Sequence, residues 1–486
     1  MLFNSVSFLV FFPVVTICYF LLQGWRTRVA LLLGASCVFY MAFVPSYILI
    51  LAFTIVVDYA AGILIARATR YRRLFLLASV MANVGVLAIF KYYAFLVANT
   101  VTVAGLFGWR IHAPTLALVL PIGLSFHTFQ AMSYTIEVYR GRQAPERNFA
   151  VYALYVMFYP QLVAGPIERP QNLLPHFRHL HQFDYLRVTS GLRRMAWGLF
   201  KKIVVADRLG ATVDLVFDNP RQHHGLALLI ATVMFAFQIY LDFSAYSDIA
   251  LGSARVMGFE LMENFRTPYF ATTVSEFWRR WHVSLSTWFK DYVYVPMGGS
   301  RTTRGRHYRN LMIVFMLSGL WHGAAWTFVI WGALHGLYLI VGHVTAPGRQ
   351  RIARALRLPT TGLGMRLLAI TSTFALTTFA WIFFRARTTS AAVYVITHLP
   401  TGLVRDVAQV IASRGRAFPL PGVPSRIALV ALVLGVEWMT ASWTRLDDFV
   451  RRLRPVPRYG LYLLVVYAAS FGTDDGSMQQ FIYFQF

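Results

Sequence analysis

The sequence predicts an all-α polytopic integral membrane protein, and three observations predict it. Of 486 residues, 57% are hydrophobic and only 13% are charged, against about 25% charged in soluble proteins. Apolar runs of about 20 residues, long enough to cross a bilayer, recur along the whole chain. Arg and Lys collect in alternate connections between those runs, the pattern of cytoplasmic loops. The alternating segments of a membrane β-barrel are missing.

Net charge is +25, from 45 basic and 20 acidic residues. The basic residues lie between apolar runs rather than in a separate domain, which argues against nucleic-acid binding. They suit anionic lipid headgroups or a phosphorylated acyl donor instead. Cys18 and Cys37 both sit in apolar runs. Neither a disulfide framework nor a cysteine zinc site follows, and no basic neighbour activates either thiol.

Taken in order, Met-Leu-Phe-Asn-Ser lacks the positive region of a signal peptide, so Val6–Leu22 reads as a retained span. Further spans are expected at 29–43, 47–66, 74–97 and 116–136. The connections Arg26/Arg28, Arg67–Arg73 and Arg140–Arg147 are basic, whereas Val44–Ser46 is uncharged and 98–115 carries only Arg110. The N-terminus is therefore expected outside and the basic loops inside. Phe149–Gly165 is apolar, has Arg147 and Arg169 on its flanks, and ends in Tyr-Pro-Gln-Leu-Val-Ala-Gly-Pro. It is expected to be re-entrant or interfacial, which requires protein or a wet cavity to cover its broken backbone.

Spans follow near 195–217 and 226–250. The region 251–310 is polar and basic, as are 346–366 and 444–458, and spans at 367–384 and 426–443 flank an outside segment, 385–425. Loop parity then requires 311–341 to enter and return to one side. Thirty-one residues are too few for two full helical spans at about 1.5 Å per residue. That segment is expected to break near Gly319–Gly323 or to form a re-entrant pair, before a last span at 459–471. The chain reads as one membrane domain, 1–486, with N-terminal spans (1–148), a core region (149–345) and C-terminal spans (346–486). It shows no internal repeat.

Within the uncharged stretch Leu311–Thr345 lies His322. A titratable side chain at membrane depth is costly and is a functional candidate by default, and imidazole exchanges protons near neutral pH. The plainer alternative is a histidine bonded to neighbouring helices. Thr273–Val295 has apolar residues at helical spacing, with Arg279, Arg280, Ser286, Lys290 and Asp291 opposite. This predicts an amphipathic helix at the membrane surface, with His282 on the border between its faces. Asp242 and Tyr246 share a helix face. Asp242 and Asp248 need partners, with Arg or His as candidates, and a structural ion pair is the plainer reading. Ser125, His127, Gln130, Ser133, Tyr134 and Glu137 form a polar face suited to bonds between helices.

No metal site is expected. His322 and His335 stand about 19 Å apart along a continuous helix. Neither His223-His224 nor His176, His179 and His181 have zinc-site spacing. Gly298-Gly299-Ser300 lacks a phosphate-loop lysine, and no Gly-x-Ser-x-Gly elbow occurs.

Five stretches together resemble the membrane-bound O-acyltransferase (MBOAT) family, most closely its branch containing alginate O-acetyltransferase. They are Leu120–Gln130, Phe158–Pro170, Tyr240–Ala250, Phe277–Arg301 and Trp321-His322-Gly323, and the ending Gln480–Phe486 also looks like that branch. The resemblance runs nearly end to end, and five motifs in one order are specific. It implies a multi-helix bundle with re-entrant and interfacial helices around a central tunnel. It also implies that His322 is the family's essential intramembrane histidine and His282 a second important one. His127 departs from the aromatic residue many relatives carry.

The implied activity is O-acetyl transfer from a cytoplasmic thioester, acetyl-CoA, to a hydroxyl reached from outside, for an extracytoplasmic polysaccharide such as alginate. His322 would be the general base. Trp321 and Trp326 would shape the tunnel, Asp242 and Tyr246 would belong to the substrate or donor region, and Arg279 and Arg280 would meet the donor's phosphates. Expected partners are membrane lipids, the polysaccharide and an SGNH-type periplasmic protein that completes the transfer. No cofactor is expected beyond the donor. The expected location is the bacterial inner membrane. Alternatives are a D-alanyl transferase of the same fold acting on teichoic acid, a polysaccharide or acyl transporter, and an export scaffold. Transporters often carry paired repeats, which this chain lacks.

Overall fold

The computed structural model describes residues 1–110, 120–355, 362–470 and 480–482, and among them every regular element is a helix. Residues 116–119 of the expected fifth span, 356–361 of a basic loop, 471 of the last span and 483–486 of the terminal motif lie outside the described residues. Among the described residues six helices are long and apolar enough to cross a membrane: Pro45–Arg67, Arg72–Leu106, Gly225–Met257, Trp326–Arg351, Leu363–Arg385 and Val423–Thr440. The protein is therefore multi-pass. The chain divides into two compact units, one of Met1–Ala196 with Tyr246–Met262, the other of Trp197–Ala245 with Glu263–Ile482.

The first unit begins with α1 (Val6–Leu21), capped by Ser5, whose hydroxyl accepts the Phe8 N–H at 3.3 Å. Then come α2 (Trp25–Met41) and α3 (Ile48–Arg67). Next, α4 (Arg72–Leu87) passes through a π-helical turn, Ala88–Tyr92, into α5 (Tyr93–Leu106). α6 (Leu124–Tyr139) packs against α3 and α4, and Gly62 admits the Tyr134 ring where a Cβ would meet it at 2.5 Å. The Asp58 carboxylate inside this group accepts bonds from Ser79 Oγ at 2.5 Å and Asn83 Nδ2 at 2.8 Å. The polar face of α6 does join elements: Gln130 donates to the Tyr155 carbonyl at 2.5 Å, and the Tyr134 hydroxyl accepts the Glu146 N–H at 2.8 Å.

α7 (Phe149–Met157) has nine residues, about 14 Å, and cannot cross a bilayer. Irregular backbone follows, and every residue from Val151 to Glu168 is buried. Several of its polar groups are met by protein. The Tyr159 N–H donates to Ser36 Oγ at 3.1 Å, the Ala164 N–H to the Tyr246 hydroxyl at 3.3 Å, and Tyr155 Oη to the Glu168 carbonyl at 2.9 Å. That coverage lets broken backbone persist away from water. Glu168 accepts the Met262 N–H at 2.5 Å, yet burial still pushes its carboxyl up to about 7. After the short α8 (Pro170–Leu173) comes α9 (Tyr185–Leu199).

The second unit differs from expectation at its start. In place of a plain span at 195–217, α9 leads into a π-helical stretch, Phe200–Ala206, and then α10 (Asp207–Phe217). Averaged hydropathy hid Lys201 and Lys202, which the π turn carries into the interior, 2% and 1% exposed. Lys202 Nζ lies 2.7 Å from both Asp242 and Asp207. α11 (Gly225–Met257) supplies Asp242 and continues into the first unit, where Asp248 pairs with Arg194 at 2.8 Å.

α12 (Val274–Arg280) starts at a Thr273 cap, whose hydroxyl accepts the Glu276 N–H at 3.1 Å. α13 (Val283–Phe289) follows. α14 (Arg304–His322) and α15 (Trp326–Ala355) pack against each other as a hairpin, and the expected break falls between them at Gly323–Ala325. The length objection dissolves because both helices run on into the flanking polar segments. Gly319 and Gly332 let the two backbones touch: a Cβ on either would clash with the carbonyl of Phe328 or Phe315. Gly319→Ala is accordingly expected to cost at least about 1–3 kcal/mol, the usual range for overpacking, and a melting curve in detergent will show it. The unit closes with α16 (Leu363–Arg385), α17 (Thr389–His398), α18 (Leu403–Ala412), α19 (Val423–Thr440), α20 (Trp443–Arg452) and α21 (Pro455–Ser470).

Candidate active site

His322 is the last residue of α14, at the tip of the hairpin, and is 4% exposed. Trp321 lies 4.9 Å from it between ring centres, Trp331 of α15 5.1 Å and Phe384 of α16 5.3 Å. These rings enclose the imidazole and exclude water from three sides.

His282 completes the arrangement, but not from a helix face. The expected continuous helix over 273–295 breaks at this residue, which has φ +41° and ψ +56°. A non-glycine residue rarely adopts the left-handed region, and such strain persists only where surroundings enforce it. Here the strand-like stretch 264–266 laces across the break. The Arg266 N–H donates to the Arg280 carbonyl and the Val283 N–H to the Asn264 carbonyl, both at 2.9 Å. Asn264 Oδ1 also accepts the Ser284 hydroxyl at 2.9 Å. The kink buries His282 completely, 6.4 Å from His322 between ring centres and 4.7 Å from Phe243. Burial pushes the His282 imidazole down to about 3, so it is neutral at physiological pH.

At 6.4 Å between ring centres the two imidazoles are too far apart to bond to each other directly. The arrangement can receive a hydroxyl, take its proton and keep water out. Among the described residues no group of three or more His, Cys, Asp or Glu is placed to hold a metal ion.

Of the residues singled out from sequence, His322, His282 and Trp321 come together. Trp326 is 55% exposed at the start of α15 and stands outside the enclosure. Asp242 is held by Lys202 and by the Ile482 N–H at 2.8 Å, which is the structural ion pair. Tyr246 belongs to the first unit, where its hydroxyl meets Ala164. Arg280 binds Glu276 at 2.5 Å, whereas Arg279 is exposed and bonds to Ser275 at 3.2 Å. His127 is buried in the first unit.

Sequence reasoning missed Trp331, Phe384 and Phe243, which form most of the enclosure. One signal was present: Trp331 and His335 are four apart and therefore share a face of α15. Trp331 is 5.0 Å from His335, whose Nδ1 accepts the Trp278 Nε1–H at 3.2 Å.

A family model described as MBOAT, membrane-bound O-acyltransferase family, matches residues 142–384, an interval holding both histidines. The probable alginate O-acetylase AlgI of Pseudomonas aeruginosa is 39% identical over 81% of this chain and 73% of its own. A peptidoglycan O-acetyltransferase of Helicobacter pylori is 34% identical over 82% of this chain and 79% of its own. A teichoic acid D-alanyltransferase of Streptococcus thermophilus is 27% identical, over 47% of this chain and 58% of its own.

Proposed function

We propose, since this chain belongs to the membrane-bound O-acyltransferase family and is a membrane acyltransferase, that it moves acetyl groups from cytoplasmic acetyl-CoA to a hydroxyl serving an extracytoplasmic polysaccharide such as alginate. The observation that carries this reading is the enclosed pair His322–His282. His322 takes the acceptor's hydroxyl proton as the oxygen attacks the thioester carbonyl. The C–O bond forms, the C–S bond breaks, and His322 returns the proton to the departing thiolate. Atoms and charge balance, and the products are an ester and free coenzyme A. His282 orients the hydroxyl, and Trp321 shields it. Arg279, on the polar side of α12, is the arginine left to meet the donor's phosphates, because Arg280 is engaged by Glu276.

The inner membrane is the location that a cytoplasmic donor and an outside acceptor require. The direct acceptor is either the polymer or a periplasmic SGNH-type protein that passes the group on. Acetyl transfer is favoured over D-alanyl transfer because the O-acetyl-transferring relatives match about four-fifths of the chain at 34–39% identity, and the D-alanyltransferase about half at 27%. Incubating the purified protein with acetyl-CoA, and separately with a D-alanyl carrier-protein thioester, tests the choice. Free thiol is expected from acetyl-CoA alone. Turnover of only the carrier-protein thioester would reverse the assignment.

A further inference from the structure

We propose that Trp331 and His335 bind the thioester carbonyl oxygen and stabilise the oxyanion that forms there, an inference that rests on the acyl-transfer reading above. Trp278 donates its Nε1–H to His335 Nδ1 at 3.2 Å. Nδ1 is therefore the acceptor, and the proton of the neutral ring sits on Nε2. That Nε2–H has no partner among the described residues, and neither has Trp331 Nε1–H, although both side chains are 0% exposed. A buried donor left without an acceptor costs about 1–3 kcal/mol. Two such donors on one helix face, with ring centres 5.0 Å apart, are rarely incidental.

The direction of the side chains strengthens the case. Helical side chains lean toward the helix N-terminus, and the N-terminus of α15 is the break where His322 sits. Trp331 packs 5.1 Å from His322 between ring centres, so the indole that carries this N–H belongs to the same enclosure as the base. When the hydroxyl attacks, the carbonyl π pair moves onto oxygen, and preorganised N–H donors meet that charge without having to reorient. When the C–S bond breaks, the pair returns to the carbonyl and the donors release it.

The test uses the purified full-length chain with acetyl-CoA as donor, alginate oligosaccharide or water as acceptor, and thiol release as readout. Trp331→Phe keeps the ring and removes the N–H. It is expected to lower kcat by about 10²–10³-fold, the usual effect of losing one such donor, with KM for acetyl-CoA unchanged. His335→Leu is expected to do likewise, and His335→Gln, which restores an N–H, to recover part of the loss. A structural role would instead lower the melting temperature and leave kcat of the folded fraction unchanged, and that result overturns the proposal. So does full kcat in Trp331→Phe while His322→Ala is inactive, which spares the acyl-transfer reading. A wild-type protein that releases no thiol removes that reading and this inference together.

Discussion

His322→Ala is expected to lower thiol release from acetyl-CoA by about 10²–10⁴-fold, the range that positioned proton transfer supplies, while the protein stays folded. The reason is positional. His322 closes α14 at a break in the hairpin, enclosed by Trp321, Trp331 and Phe384, and His282 is the nearest second imidazole. His282 is a poor substitute as base, since burial already holds it near 3. His322→Gln gives a check on packing: it retains most of the volume and a hydrogen-bonding end but takes up no proton. Both variants should therefore lose rate together, with melting temperatures close to wild type. Wild-type turnover in either folded variant would remove the general-base role.

Lys202→Met is expected to destabilise the protein by about 3–5 kcal/mol, the cost of leaving buried charge uncompensated. Lys202 serves two carboxylates at once, each at 2.7 Å, and also donates to the Gln480 carbonyl at 3.1 Å. Its ammonium further sits 4.5 Å from the centre of the Phe481 ring. Asp242 in turn holds the Ile482 N–H. Removing this cation strands Asp207 and Asp242 and loosens segment 480–482. Thermal unfolding reads the effect directly. The triple change Lys202→Met, Asp207→Asn, Asp242→Asn should recover much of the loss, because it removes the charges along with their partner. A melting temperature unaltered by Lys202→Met would mean that water already reaches the cluster.

The spans at 47–66, 74–97, 226–250, 367–384 and 426–443 were legible because an apolar run long enough to cross a bilayer declares itself without tertiary information, whereas the helices at 6–22, 29–43 and 459–471 are shorter than a span requires. Even the break beside His322 could be anticipated, because loop charge and residue count together leave few solutions. The left-handed turn at His282 could not. Apolar spacing continues smoothly through Trp281 and His282, and the turn depends on Asn264 and Arg266 lacing across it from an irregular segment. Trp331 escaped notice, and His335 was weighed only as a metal ligand, because the packing of Trp331 on His322 exists only once the hairpin folds back. Lys202 went unremarked within the expected span at 195–217 for another reason. A hydropathy average spreads two lysines over a whole span, but a π turn concentrates them on one side. Asp242 was expected to find Arg or His and found Lys202 instead.

The helix from Arg72 to Leu106 has 35 residues, which at about 1.5 Å per residue makes it about 52 Å long. A hydrocarbon core is about 30 Å thick. An element this oversized must lean or project, and either response couples it to the thickness of the surrounding lipid. Acyl-chain length in a reconstituted bilayer thus becomes a dial on this enzyme's first unit, one that detergent micelles leave unset.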